Sequence, residues 1–282
     1  MNVDIASTWY RSGRQQLNAG DINGAIESFR NATTNDHDNR VYTLALATAL
    51  AAADHIEEAR QALLRLRASA PENGEINLNL ARLAAKEGKM PDAVRYYHNA
   101  LFGTWQPDQM TSQPAKVRTE LVEFLLGRGY TSQALSELLI LSADIPDTEQ
   151  AHSEVGRLFL AAGDSQDALD HFSRVLRLNG KNADALSGAG RANFNLAEYS
   201  KAFRFLEAAV TNGNDSPEVL TLFGTSKLVL SRDPLLSGIN PKERIRRLLA
   251  DLEVASEELR SCLSKKQEDQ SGVFVLQPLW TK

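Results

Sequence analysis

Residues 152–175 read HSEVGRLFLAAGDSQDALDHFSRV. The run divides at Gly163. Before it, His152, Val155, Gly156 and Phe159 are spaced by three, one and three residues, as on one face of a helix. After it, Ala168, Phe172 and Val175 keep that period. A glycine between two such faces marks a tight turn, because it enters the left-handed backbone region without a steric penalty. The stretch predicts helix, turn, helix.

The same landmark recurs on both sides. It stands as Gly20, Ala25, Phe29, Ala32, then as Asp54, Ala59, Leu63, Leu66, then as Gly88, Ala93, Tyr97, Ala100. Gly129, Ala134, Leu138, Leu141 precede the quoted copy, and Ala197, Ala202, Leu206, Ala209 follow it. Successive alanines are 34, 34, 41, 34 and 34 residues apart. A fixed period of this size is the signature of a repeat architecture. The one long spacing exceeds the others by seven, which places an insertion near residues 108–114, beside Trp105. Six full copies are expected, starting near residues 6, 40, 74, 115, 149 and 183, with a partial seventh from 217.

The small residues have a packing role. Gly13, Gly156, Gly190 and Gly224 share one place on the first helix, and the alanines share one place on the second. Small side chains at both let antiparallel helices approach closely, while Phe29, Tyr97 and Phe172 fill space toward the next copy. A single pair cannot bury its apolar face, so neighbouring pairs must stack. The expected fold is all-α: a solenoid over residues 1–232, a capping helix over 233–264, and a linker with an apolar tail over 265–282. Ser216-Pro217 reads as the start of a helix, and Asn240-Pro241 as the start of another. That last helix carries the stripe Ile245, Leu248, Leu249, Leu252, Ala255, Leu259, expected to close the array.

Composition narrows the function. The chain is 43% hydrophobic and 24% charged, with a net charge of -5. That balance supplies no general basic footprint for nucleic acid or an anionic membrane. The single cysteine, Cys262, excludes an internal disulfide and any zinc site built on paired cysteines. The five histidines fall in different copies without metal-ligand spacing. No phosphate loop is present, and Gly188-Ala-Gly190 follows no strand. No catalytic, cofactor or metal residue is expected. The start Met1-Asn2-Val3-Asp4 has neither a basic nor an apolar signal region, and the longest apolar run, Leu44–Ala53, is too short to span a bilayer. The expectation is a cytoplasmic protein, with the periplasm or the soluble part of a membrane-anchored protein as alternatives.

The period of 34, the Trp9 start, the glycine–alanine pair and the closing prolines Pro71 and Pro146 resemble the tetratricopeptide repeat family, in its bacterial scaffold proteins. The likeness covers roughly residues 6–231 and departs at Asp54 and Ala197, which replace the turn glycine. It implies a right-handed superhelix whose concave groove is lined by first helices and binds extended peptides or partner helices. On that geometry one column holds Arg14, Arg82, Glu123, Arg157 and Arg191, with Ser153, Leu160, Ser187, Phe194 and Asn195 around the later arginines. An arginine-bearing strip of this kind suits an acidic peptide with apolar anchors. Two alternatives remain: an assembly or accessory factor whose groove is regulated by its own tail through Phe274, Leu276 and Trp280, or an RNA-binding helical array. The sequence leaves the oligomeric state open.

Overall fold

The computed structural model describes residues 2–267. They form fourteen helices: α1 Asn2–Asn18, α2 Ile22–Asn35, α3 Arg40–Ala52, α4 Ile56–Ser69, α5 Gly74–Lys86, α6 Met90–Leu101, α7 Gln113–Gly127, α8 Thr131–Asp144, α9 Glu149–Ala161, α10 Ser165–Leu178, α11 Ala183–Asn195, α12 Tyr199–Thr211, α13 Pro217–Arg232 and α14 Pro241–Gln267. No strand occurs among the described residues, only an isolated bridge between Asn73 and Thr104. The fold class is the all-α helical solenoid of tetratricopeptide type. The chain divides into two compact units, Met1–Asp164 and Ser165–Lys282.

The helices come in hairpins with three-residue turns, as at 19–21, 53–55, 87–89, 128–130 and 196–198. The turn glycines Gly20, Gly88, Gly129 and Gly163 all have positive φ. So do Asp54 (φ 66) and Ala197 (φ 59), which stand where other copies have glycine. The left-handed turn is therefore kept even where a side chain opposes it. First helices are capped one residue before they begin. Asn39, Asn73, Thr148 and Asn182 each accept a hydrogen bond from a backbone N–H of the first turn, filling one of the orphan donors of a helix start. Ser216 occupies the same register before α13, but its side chain makes no capping bond.

In unit 1 a core runs through successive pairs, with Ala25, Phe29, Ala59, Leu63, Ile76 and Leu80 at its centre. The glycine on the first helix is filled by the large residue of the second: a Cβ on Gly13 would lie 2.6 Å from the Phe29 ring. In unit 2, Leu186, Ala202, Leu206, Ala209 and Val219 form the core. There a Cβ on Gly190 would meet Leu206 at 2.6 Å.

The connection from α6 to α7 spans residues 102–112, against four residues in most links between hairpins. Pro114, expected in the insertion, instead sits in the first turn of α7, where its missing N–H costs nothing. The loop is built rather than slack. Thr104 N donates to Glu72 O at 2.7 Å, and Gly74 N donates to Thr104 O at 2.9 Å. Trp105 Nε1 donates to Ala100 O at 3.0 Å. Its indole covers Gly74, where a Cβ would come within 2.3 Å of the ring.

α14 has the expected N-cap, with Glu243 N donating to Asn240 Oδ1 at 2.8 Å. Among the described residues its apolar stripe is left open: Ile245 is 58% exposed and Leu249 60%. Its contact with α13 runs through Arg247, which donates to the carbonyls of Leu230 and Asp233 at the end of that helix. Periodicity in α14 marks an apolar face; among the described residues no helix is laid along it.

Candidate functional site

The residues expected to form a groove lie on first helices, one face of which is consumed by packing. What remains accessible decides what the surface can hold. In unit 1, Arg14 on α1, Glu123 on α7 and Arg157 on α9 are exposed, and neither arginine has an ionic or hydrogen-bond partner among the described residues. Ser153 is half-buried, while Leu160 is 8% exposed and belongs to the core.

Arg82 is differently placed. Its Nε and Nη2 grip the Glu120 carboxylate at 2.8 Å each, a two-pronged pair between α5 and α7. The Tyr97 hydroxyl donates to the same carboxylate at 2.9 Å. Glu120 holds the Arg82 guanidinium above its ordinary pKa, chiefly through this hydrogen bond. Burial raises the Tyr97 phenol strongly, and the negative charge of Glu120 adds to it. The phenol is therefore neutral at physiological pH and is a structural donor, not a nucleophile. Neither Glu120 nor its link to Tyr97 was legible beforehand. The glutamate is 38 residues from Arg82, and the register between them passes through the inserted loop.

In unit 2, Ser187, Arg191, Phe194 and Asn195 share α11. Arg191 is paired with Glu218 of α13 at 2.8 Å. Asn195 donates to Ser165 at 3.1 Å, and Ser187 accepts from Asn214 at 3.3 Å. Phe194 is half-buried and meets Tyr199 edge-on at 5.4 Å. Arg157 belongs to unit 1 and Arg191 to unit 2. Phe274, Leu276 and Trp280 lie outside the described residues.

A polar cleft of about 630 Å³ opens among α2, α3 and α4, lined by Thr34, His37, Asp38, Arg40 and Arg65. Among the described residues no three His, Cys, Asp or Glu side chains are grouped to hold a metal ion. No described helix is long and apolar enough to cross a membrane.

The tetratricopeptide repeat model matches residues 44–106 and 155–217. No curated protein sequence matches the chain. Three solved structures share the fold. PilW, described as a widely conserved type IV pilus biogenesis factor, is 20% identical, with 77% of this chain and 98% of PilW covered and a TM-score of 0.54. YrrB, described as a TPR protein with an unusual peptide-binding site, is 17% identical over 70% of this chain and 97% of its own, at a TM-score of 0.53. The C-terminal part of a TPR repeat-containing protein from Cytophaga hutchinsonii is 13% identical over 85% and 99%, at 0.60. At these identities the likeness concerns the fold. The 34-residue period, the left-handed turns and the glycine seats filled by Phe29 and Leu206 follow the pattern of the two segments that match the tetratricopeptide repeat model, and the chain shares the fold of that family's solved members.

Proposed function

We propose that the chain is a protein-interaction scaffold that holds an extended, acidic peptide or partner helix on its first-helix face. The observation that carries this is the contrast among the arginines that share one position of the repeat. Arg82 and Arg191 are neutralised by Glu120 and Glu218. Arg14 and Arg157 are exposed without a partner among the described residues. A guanidinium left open on a packed helix is a ready fork for carboxylates or backbone carbonyls. The peptide-binding site named for YrrB supports the same use of the fold.

The test takes the full chain against an array of acid-rich peptides with Leu or Phe anchors, with polyuridylate as the competing probe. The wild type is expected to bind a subset of the peptides. The double variant Arg14→Glu, Arg157→Glu should keep its helical circular dichroism and lose at least about tenfold in affinity, roughly 1.4 kcal/mol. Equal binding by both proteins, or binding of polyuridylate in place of peptide, would remove the proposal.

A further inference from the structure

Two complete hairpins show what the glycine of a first helix accepts. Gly13 takes the ring of Phe29, and Gly190 takes Leu206, each 16 residues later. In both, the filling residue is preceded four positions earlier by alanine and followed three later by a second one: Ala25 and Ala32, then Ala202 and Ala209. Gly224 on α13 stands 34 residues after Gly190. A Cβ there would meet nothing within 4 Å. Leu220 is 45% exposed and its counterpart on α11, Leu186, only 6%. Leu228 on the same side of α13 is also exposed, at 52%. The opposite side of α13 is in the core through Val219. α13 thus carries a complete seat for a second helix, and among the described residues the seat is open.

The chain also carries a helix that fits it. Ala255, Leu259 and Cys262 on α14 repeat the small, large, small pattern at the same spacing. Ala255 and Cys262 are exposed and Leu259 is half-exposed. This motif cannot reach the seat of its own chain in register. In the two reference hairpins the glycine lies five residues before the end of its helix and the filling residue seven residues into the next. Gly224 lies eight residues before the end of α13, so a folded-back α14 with the same offset would set Asp251 on Gly224, with Arg247 in the place of the alanine. Leu259 would overshoot by eight residues, about 12 Å of helix. A second molecule has no such restriction.

We propose that the open face of α13 is the seat for α14 of a second copy of this chain. Each copy offers one seat and one fitting helix, so a reciprocal exchange about a two-fold axis satisfies both, the symmetry of an isologous dimer. The interaction buries the stripes of α13 and α14 together, and it is separate from the arginine column of the proposed function.

Sedimentation and a cross-link test it together. The full chain should sediment at twice its 31.0 kDa mass. A Cβ at position 224 meets no atom of the described residues within 4 Å, and Gly224→Leu should return the protein to a monomer with its helicity intact. In the first hairpin Ala32 packs with Tyr10, and the corresponding residues here are Cys262 and Thr221. Thr221→Cys should therefore form a disulfide with the native Cys262 that yields a covalent dimer on a non-reducing gel. A wild type that stays monomeric at every concentration, a dimer that survives Gly224→Leu, or a cross-link confined to one chain would each overturn the proposal.

Discussion

Tyr97 and Glu120 are hydrogen-bonded at 2.9 Å although an eleven-residue loop separates their helices. The phenol is 2% exposed, and Arg82 closes on the same carboxylate from α5. Removing the hydroxyl leaves a part-buried charge one donor short. Tyr97→Phe should cost about 1–2 kcal/mol in urea unfolding, in the range of hydrogen bonds to charged groups. The deletion keeps the ring, so a loss near zero would mean that the contact contributes nothing beyond packing.

Close approach is tested at Gly190. Alanine has the better helix propensity by roughly 1 kcal/mol. Here its Cβ would stand 2.6 Å from Leu206 Cγ and 3.3 Å from the Leu206 backbone nitrogen, and overpacking of this kind costs about 1–3 kcal/mol. Gly190→Ala should lower the melting temperature. A rise would show that α12 is free to move away from α11.

The turn at Ala197 holds an alanine at φ 59. An L residue with a Cβ loses roughly 1–2 kcal/mol in that region. Ala197→Gly should therefore stabilise the protein by about 1 kcal/mol, because relief of the steric penalty exceeds the added freedom of the unfolded chain. Asp54→Gly should gain less. The Asp54 carboxylate is paired with Lys86 at 2.6 Å, and the substitution discards that pair. Chemical denaturation of the two variants side by side measures the difference.

Ser226 is wholly buried in α13, and its hydroxyl has no hydrogen-bond partner among the described residues. An unpaired buried hydroxyl costs about 1–3 kcal/mol. Ser226→Ala removes it at almost constant volume and should raise the unfolding midpoint. A lower midpoint would indicate that the hydroxyl is satisfied in solution.

Glu243 accepts hydrogen bonds from Arg246 and Arg247, which hold its carboxyl at about 2, below its ordinary value of 4.5. The folded value is depressed, so the unfolded state takes up the proton first as pH falls. The stabilisation is complete above about 4.5 and disappears between there and about 2. α14 should lose helical circular dichroism across that window. Glu243→Gln should remove that acid-dependent component, and an unchanged acid transition in the variant would separate it from this carboxylate.

The helix pairs were legible because period, turn and packing all act within one hairpin. The departures at Asp54 and Ala197 did not matter, since stacking imposes the same turn on them. The partners of the arginines were not legible. Arg82 finds Glu120 and Arg191 finds Glu218 at separations of 38 and 27 residues, and no local rule fixes which side chain of the next first helix comes within reach. The stripe of α14 shows the same boundary. Spacing identifies Ile245, Leu248, Leu249 and Leu252 as one face, but what covers a face depends on where the connecting segment leads the helix.

The bridge between Asn73 and Thr104 gives the α5–α6 pair a property the other pairs in its unit lack. A hairpin of helices is normally a fork, shut at its turn and free to fray at its tips. Here the turn at 87–89 shuts one end, while Glu72, Gly74, Thr104 and Trp105 stitch the other. Fraying from the tips must first break the stitch and withdraw the indole from Gly74. The pair is a closed ring within a row of open forks. Its amide hydrogens should exchange last in the unit, and a pull on the chain should undo its neighbours before it.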